Sequence, residues 1–282
     1  MSRWAELLFG VCILFATSLG LTQECSLPLK DSPSLCRLEA KARAGDTDAQ
    51  YQLGLAYDKS NALARDCPNA AKWYAMAAHR GNPAAQNNLA VLYASGCGVE
   101  KSDSEAVKWY MRASSSGFAM AQNNLGYAFE QGRGVKQSDD AAVHWYREAA
   151  NRQFAPAMAN LASHYMSGRG IEKNESEAAR LERLAAELGF PAAEAAVGQM
   201  YLTGWQLDRN PELAVRWLRR AADHGYLPAQ NELGRLSEQG IGLPQDRAEA
   251  ERWYRKAADA GLQLAQKNLA RLQQQSLASA GR

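Results

Sequence analysis

Charge of one sign is what this chain of 282 residues has least of: 32 basic residues stand against 30 acidic ones, for a net charge of +2. No long basic run occurs, so a general electrostatic attraction to nucleic acid is excluded. Histidine is equally scarce. His79, His144, His164 and His224 form neither H-E-x-x-H nor a pair one helical turn apart. C-x-x-C is missing, which removes the spacing zinc sites use. S-x-x-K is missing too, and with it an acylating serine partnered by lysine. Long apolar runs are also lacking. The one candidate, Leu7 to Leu21, is 15 residues, short of the ~20 needed to span a bilayer. With apolar content of 46% and charge of 22%, the chain still has the composition of a folded protein.

The first part of that run, Leu7 to Ala16, is preceded by Arg3 and leads into the small residues Ala16-Thr17-Ser18 and Ser18-Leu19-Gly20, the layout of a cleaved export signal. The expectation is a signal peptide at 1–23, with an uncleaved N-terminal anchor as the alternative. Cleavage leaves Cys25, Cys36, Cys67 and Cys97, and an even count in an exported chain points to disulfides. Four cysteines allow three pairings. Cys25–Cys36 with Cys67–Cys97 is preferred, because Cys67 and Cys97 fall in helix-connecting loops of adjacent units; Cys36–Cys67 is the rival.

What the sequence has in abundance is repetition. Ala49, Ala85, Ala121, Ala157, Ala193, Ala229 and Ala265 recur every 36 residues without insertion or deletion. Trp73, Trp109, Trp145, Leu181, Trp217 and Trp253 keep the same step. Such a period marks a stacked repeat protein. Within a unit, Ala121, Leu125, Ala128 and Phe129 follow the i, i+4, i+7, i+8 pattern of an amphipathic helix. Gly132 and Gly134 stop it, and a second helix carries Ala141, Ala142, Trp145, Tyr146, Ala149 and Ala150. Ser102 to Glu105, Asn174 to Glu177 and Asp246 to Glu249 have capping-box spacing, and Asn210-Pro211 puts proline at a first helical position. Each unit is therefore helix A, a glycine loop, helix B and a glycine turn. Tryptophans in strict register with the alanines read as core. Ser34 to Ala44 matches a lone helix B and Leu264 to Gln275 a lone helix A, the caps a stack needs at its ends.

The pattern A-Q-x-N-L-G, Y-x-x-G-x-G-V, A-x-x-W-Y-x-x-A-A-x-x-G resembles the Sel-1-like repeat, a relative of the tetratricopeptide repeat. The second unit carries it in Ala85 to Leu89, Ser95 to Val99 and Ala106 to Tyr110. The resemblance implies an all-α, right-handed α-α superhelical solenoid of 36-residue helix-turn-helix repeats. It divides the chain into a signal peptide at 1–23, an N-terminal segment with a capping helix at 24–48, six repeats at 49–264, and a capping helix and tail at 265–282. Units one, four and five depart from the pattern: Ser60-Asn61-Ala62 replaces the glycine loop, Leu181-Glu182 replaces Trp-Tyr, Gln153 replaces a turn glycine, and Gly204-Trp205-Gln206-Leu207 forms the fifth loop. A local change of stacking is expected around the fourth unit. A cysteine-rich bacterial branch of the family bridges consecutive helices, but the matching positions here hold Ala78 and Gln86.

No acid–base or nucleophile–base pair can be named, and the glycine loops follow helices rather than the strands that precede nucleotide-binding motifs. The expectation is no enzyme, no cofactor and no metal. What remains is the surface of helix A, which usually lines the concave face of a helical solenoid. Three and six residues after each register alanine lie Asn88 and Val91, Asn124 and Tyr127, Asn160 and Ser163, with Gln199 and Arg235 in later units. Asparagine amides can pair with the backbone of an extended segment, or they can solvate the face and bridge neighbouring repeats. On the first view, replacing Asn88, Asn124 and Asn160 with alanine weakens partner binding and leaves melting largely intact. The sequence thus points to an exported bacterial scaffold, periplasmic or secreted and monomeric, that holds a protein or peptide partner in its groove. The alternative is a cell-wall saccharide-binding protein or a β-lactamase-like envelope hydrolase.

Overall fold

The computed structural model describes residues 32–59 and 65–280; the expected signal peptide, Cys25 and the first glycine-poor loop lie outside them. Fourteen helices follow one another among the described residues. They begin with α1 (Pro33–Arg43), α2 (Thr47–Lys59), α3 (Cys67–His79), α4 (Pro83–Ser95) and α5 (Asp103–Ser115). The middle holds α6 (Ala119–Gln131), α7 (Asp139–Ala150), α8 (Ala155–Ser167), α9 (Glu175–Glu187) and α10 (Pro191–Thr203). The end holds α11 (Pro211–Asp223), α12 (Leu227–Gln239), α13 (Arg247–Asp259) and α14 (Gln263–Ala280). Even-numbered helices are the A helices of the units and odd-numbered ones the B helices; each packs against the next, as a solenoid requires.

Local chemistry explains the boundaries. Ser102, Ser138, Asn174, Asn210 and Asp246 each accept a backbone N–H three residues on, capping five B helices. The reciprocal half of the capping box is replaced by a longer closure. The N–H of each capping residue donates to a carbonyl near the end of the preceding A helix, as from Ser102 to Tyr93 and from Asn174 to Tyr165, both at 2.9 Å. Left-handed glycines close the A helices, Gly96 and Gly132 among them. The capping helix α14 runs to Ala280 rather than stopping near Gln275, because no residue before Gly281 breaks a helix.

The register alanines all lie in the core, none more than 5% exposed, with Leu53, Leu89, Leu125, Leu161 and Leu233 beside them. Trp73 and Trp109 are buried; Trp217 and Trp253 are half-buried and covered by Arg220 and Lys256. The expected change of stacking at the fourth unit does not occur. Leu181 fills the tryptophan position, Gln153 adopts the turn glycine's conformation at φ 60°, and α8, α9 and α10 pack in the order seen elsewhere.

Cys67 and Cys97 form a disulfide, with Cα atoms 5.3 Å apart. This excludes the rival Cys36–Cys67 pairing. Cys36 is itself disulfide-bonded, and its preferred partner Cys25 lies outside the described residues. The Cys67–Cys97 bond ties the start of α3 to the loop after α4, constraining the unfolded chain locally. Reduction is expected to cost about 2 kcal/mol, and amide exchange should accelerate in α3 and α4 while α11 to α13 keep their protection. Equal acceleration along the whole stack would overturn this.

Candidate partner-binding surface

The A helices form one row, and the register places Asn88, Asn124 and Asn160 half-buried along it. Their amides already have partners. Asn124 Nδ2 donates to Asn87 Oδ1 at 3.0 Å, Asn160 Nδ2 to Asn123 Oδ1 at 2.9 Å, and Asn268 Nδ2 repeats the bond to Asn231 Oδ1 at 2.9 Å. Asn88 Oδ1 accepts from Asn87 Nδ2 at 3.2 Å. Asn124, Asn160 and Asn268 therefore stitch successive units, each bond contributing about 1 kcal/mol. A triple Asn→Ala variant is expected to melt below the parent, since it removes two bonds between units. A clean test of binding must use neighbours that bridge nothing.

Such neighbours exist. Val91 and Tyr127 are 43% and 47% exposed, and Ser163 and Gln199 are exposed on α8 and α10. Arg235 behaves differently: its guanidinium is held by both oxygens of Glu232 and by Gln239, which leaves it neutralised in place. Two open clefts lie on this row. One, of about 360 Å³, runs between Asp58, Asn88, Val91, Met120 and Asn124. The other, of about 500 Å³, is bordered by Ala196, Gln199, Glu232 and Leu264. Met120 and Leu264 were missed in the sequence, although a signal was present. Each stands one residue before a register alanine and hence one helical turn before the asparagine position, on the same face.

Acids near this row are individually paired. The Tyr146 hydroxyl donates to Glu130 at 2.8 Å and Arg169 reaches it at 2.6 Å. Burial alone would raise Glu130, but that hydroxyl and guanidinium outweigh it and hold the carboxyl below its usual range. Tyr254 and Arg271 treat Glu238 the same way, with Arg271 the larger influence. Asp58 is paired by Arg65 at 3.1 Å and lies 3.5 Å from the Tyr74 hydroxyl.

The histidines are scattered. His164 is buried, its Nδ1 2.8 Å from the Arg169 carbonyl oxygen, while His79 and His144 lie against Trp109 and Trp145. His224 meets the buried Glu194 at 2.8 Å. Glu194 stands where four other units carry a glutamine, Gln50, Gln86, Gln122 and Gln230, whose amide donates to the end of the preceding B helix, as Gln50 does to Ala42 and Gln230 to Ala222. A carboxylate cannot donate, so Arg220 supplies the N–H to the Ala186 carbonyl and an ion pair to Glu194. Among the described residues no cluster of three or more His, Cys, Asp or Glu could hold a metal ion, and no helix is long and apolar enough to cross a membrane.

The Sel1 repeat family model matches six consecutive segments, residues 47–82, 83–118, 119–154, 155–190, 191–226 and 227–262. The chain belongs to the Sel1 repeat family. A Sel1 repeat protein from Oxalobacter formigenes is 30% identical, with a TM-score of 0.75 over 82% of this chain and 97% of that one. The c5321 protein, a protective antigen of uropathogenic Escherichia coli strains with an SLR fold, is 31% identical with a TM-score of 0.71 over 86% of this chain. Only 52% of c5321 is covered, so the chain spans about half its length. The immunity protein Pa5087 of Pseudomonas aeruginosa, 21% identical with a TM-score of 0.54 over 76% of this chain and 81% of its own, shares the fold alone. No curated protein matches the chain. A Sel1 repeat solenoid is a scaffold, typically non-catalytic, and such repeats generally serve protein interaction.

Proposed function

We propose that this Sel1 repeat protein is an exported scaffold, periplasmic or secreted, which binds an extended protein or peptide segment along its row of A helices. The observation that carries this reading is the line of exposed apolar side chains on that row, Val91, Met120, Tyr127, Met166 and Leu264, beside clefts edged with amides. Apolar groups alternating with amide donors and acceptors suit a peptide, whose side chains need pockets and whose backbone needs hydrogen bonds. Asn124 and Asn160 use their amide N–H on the bridges and keep Oδ1 for a partner's N–H. Export is supported by the Cys67–Cys97 disulfide and by the signal-like N-terminal run. The acids near the row, Asp58, Glu130, Glu232 and Glu238, are each held by an arginine, which favours a peptide over a saccharide that carboxylates must grip or cleave.

The test is affinity capture from envelope extract by residues 24–282, comparing the parent with Val91→Asp and Tyr127→Asp. Neither side chain bridges repeats, so both variants should melt with the parent. A protein partner retained by the parent and held at least ten-fold more weakly by the variants is the expected result. Retention of cell-wall fragments alone, equally by parent and variants, would overturn the reading.

A further inference from the structure

Four units carry a tyrosine at one position of helix B: Tyr74, Tyr110, Tyr146 and Tyr254. In three of them an acid from the end of the paired A helix lies at its hydroxyl, Asp58, Glu130 or Glu238. In the second unit that position is Ala94. The rest of the arrangement is retained. One unit before Tyr146 and Arg169, which grip Glu130, stand Tyr110 and Arg133, close enough for the guanidinium to act on the phenol. Tyr110 and Arg133 thus stand as both carboxylate partners do one unit later, with Ala94 where the carboxylate would be.

The space it would occupy is open. A pocket of about 140 Å³ lies between Ala94, Tyr110, Arg133, Asn124 and Tyr127. Tyr110 is only 8% exposed, and its hydroxyl bonds to no side chain among the described residues. Burial pushes its phenol up to about 12 despite Arg133, so it is present as a neutral donor. Asp103 also borders the pocket and forms an ion pair with Arg133 at 3.6 Å, a longer contact than the 2.6 Å between Arg169 and Glu130. One unit later the corresponding Asp139 acts on Arg169 while Arg169 still binds Glu130, so one guanidinium serves two acids.

We infer that this pocket is a carboxylate-binding subsite, in which Tyr110 and Arg133 take an acid from the bound segment in place of the one the chain lacks at Ala94. The acid is a glutamate or aspartate side chain or a C-terminal carboxylate. Asn124 and Tyr127 lie both here and on the proposed partner surface, so the inference rests on that reading for the ligand's origin. Its chemistry is tested separately, with small probes whose binding does not require the natural partner.

N-acetyl-glutamate amide carries only a side-chain carboxylate, N-acetyl-alanine only a terminal one, and N-acetyl-glutamine amide neither. Titrated into labelled protein and followed by NMR, either acid or both should shift Tyr110 and its neighbours, and the neutral amide should not. Ala94→Glu supplies the carboxylate from within and should weaken acid binding at least ten-fold, as should Arg133→Gln. Tyr110→Phe provides a second variant with the packing kept. Equal response to acid and neutral probes, no response to either acid, or undiminished acid binding in folded Ala94→Glu and Arg133→Gln would overturn the inference. Which acid binds names its source.

Discussion

Gly134→Ala is expected to destabilise the protein by about 3–4 kcal/mol, whereas Gly81→Ala should cost about 1 kcal/mol. Both glycines have positive φ, 73° and 89°, so both substitutions carry the strain of a left-handed conformation. Only one meets a wall. A β-carbon at Gly134 would stand 2.2 Å from the Asp103 carbonyl oxygen and 2.4 Å from its carbon, backbone atoms of the preceding unit, while at Gly81 nothing lies within 4 Å. The loop must then lift off the unit it rests on. The same approach recurs at Gly98 on Cys67, Gly170 on Asp139 and Gly242 on Pro211. The fifth loop shows how far the rule bends: Gln206 holds that place at φ 56° and accepts a hydrogen bond from Ser176 across the joint. Urea unfolding followed by circular dichroism compares the two variants directly. Equal midpoints would mean that the loops do not stack as described.

Glu182→Gln is expected to stabilise the protein by about 3 kcal/mol at pH 8 and to leave it unchanged at pH 4. Glu182 occupies the helix B position that elsewhere holds Tyr74, Tyr110, Tyr146 or Tyr254. Its Oε2 is buried without a hydrogen-bond partner, and burial pushes the carboxyl up to about 7. An unfolded glutamate ionises near pH 4.3. Between there and about pH 7 the folded chain keeps a proton that the unfolded chain has lost. Stability therefore falls as pH rises through that window and stays lower above it. Glutamine removes the titration and keeps the shape. Melting of parent and variant at pH 4, 6 and 8 gives the difference, and a difference constant with pH would place this carboxyl in water.

The repeat was legible in the sequence because side chains at one phase of a fixed period face the same neighbour in every unit. Ala49 to Ala265 and the leucines four residues after most of them could be assigned to the core on that ground, and the glycine loops and caps followed from local backbone chemistry. The partner surface was legible only by direction. Periodicity pointed Asn124 and Asn160 along the A-helix row, but not at Asn87 and Asn123, which belong to the preceding units. Met120 and Leu264 could have been found from one helical turn of the same helix. The empty carboxylate position at Ala94 could not, since Tyr110, Arg133 and Ala94 come from three elements with no fixed distance in the sequence.

By itself, then, the sequence determined the unit, its number, its buried stripe and its family, because these depend on phase along one helix and on residues a few positions apart. The tertiary structure decided which polar groups are already used. The rise and turn from one unit to the next set whether an amide meets a neighbour's amide, whether a tyrosine finds its acid, and which acids a guanidinium reaches. Those distances arise from packing between units, and no local pattern encodes them.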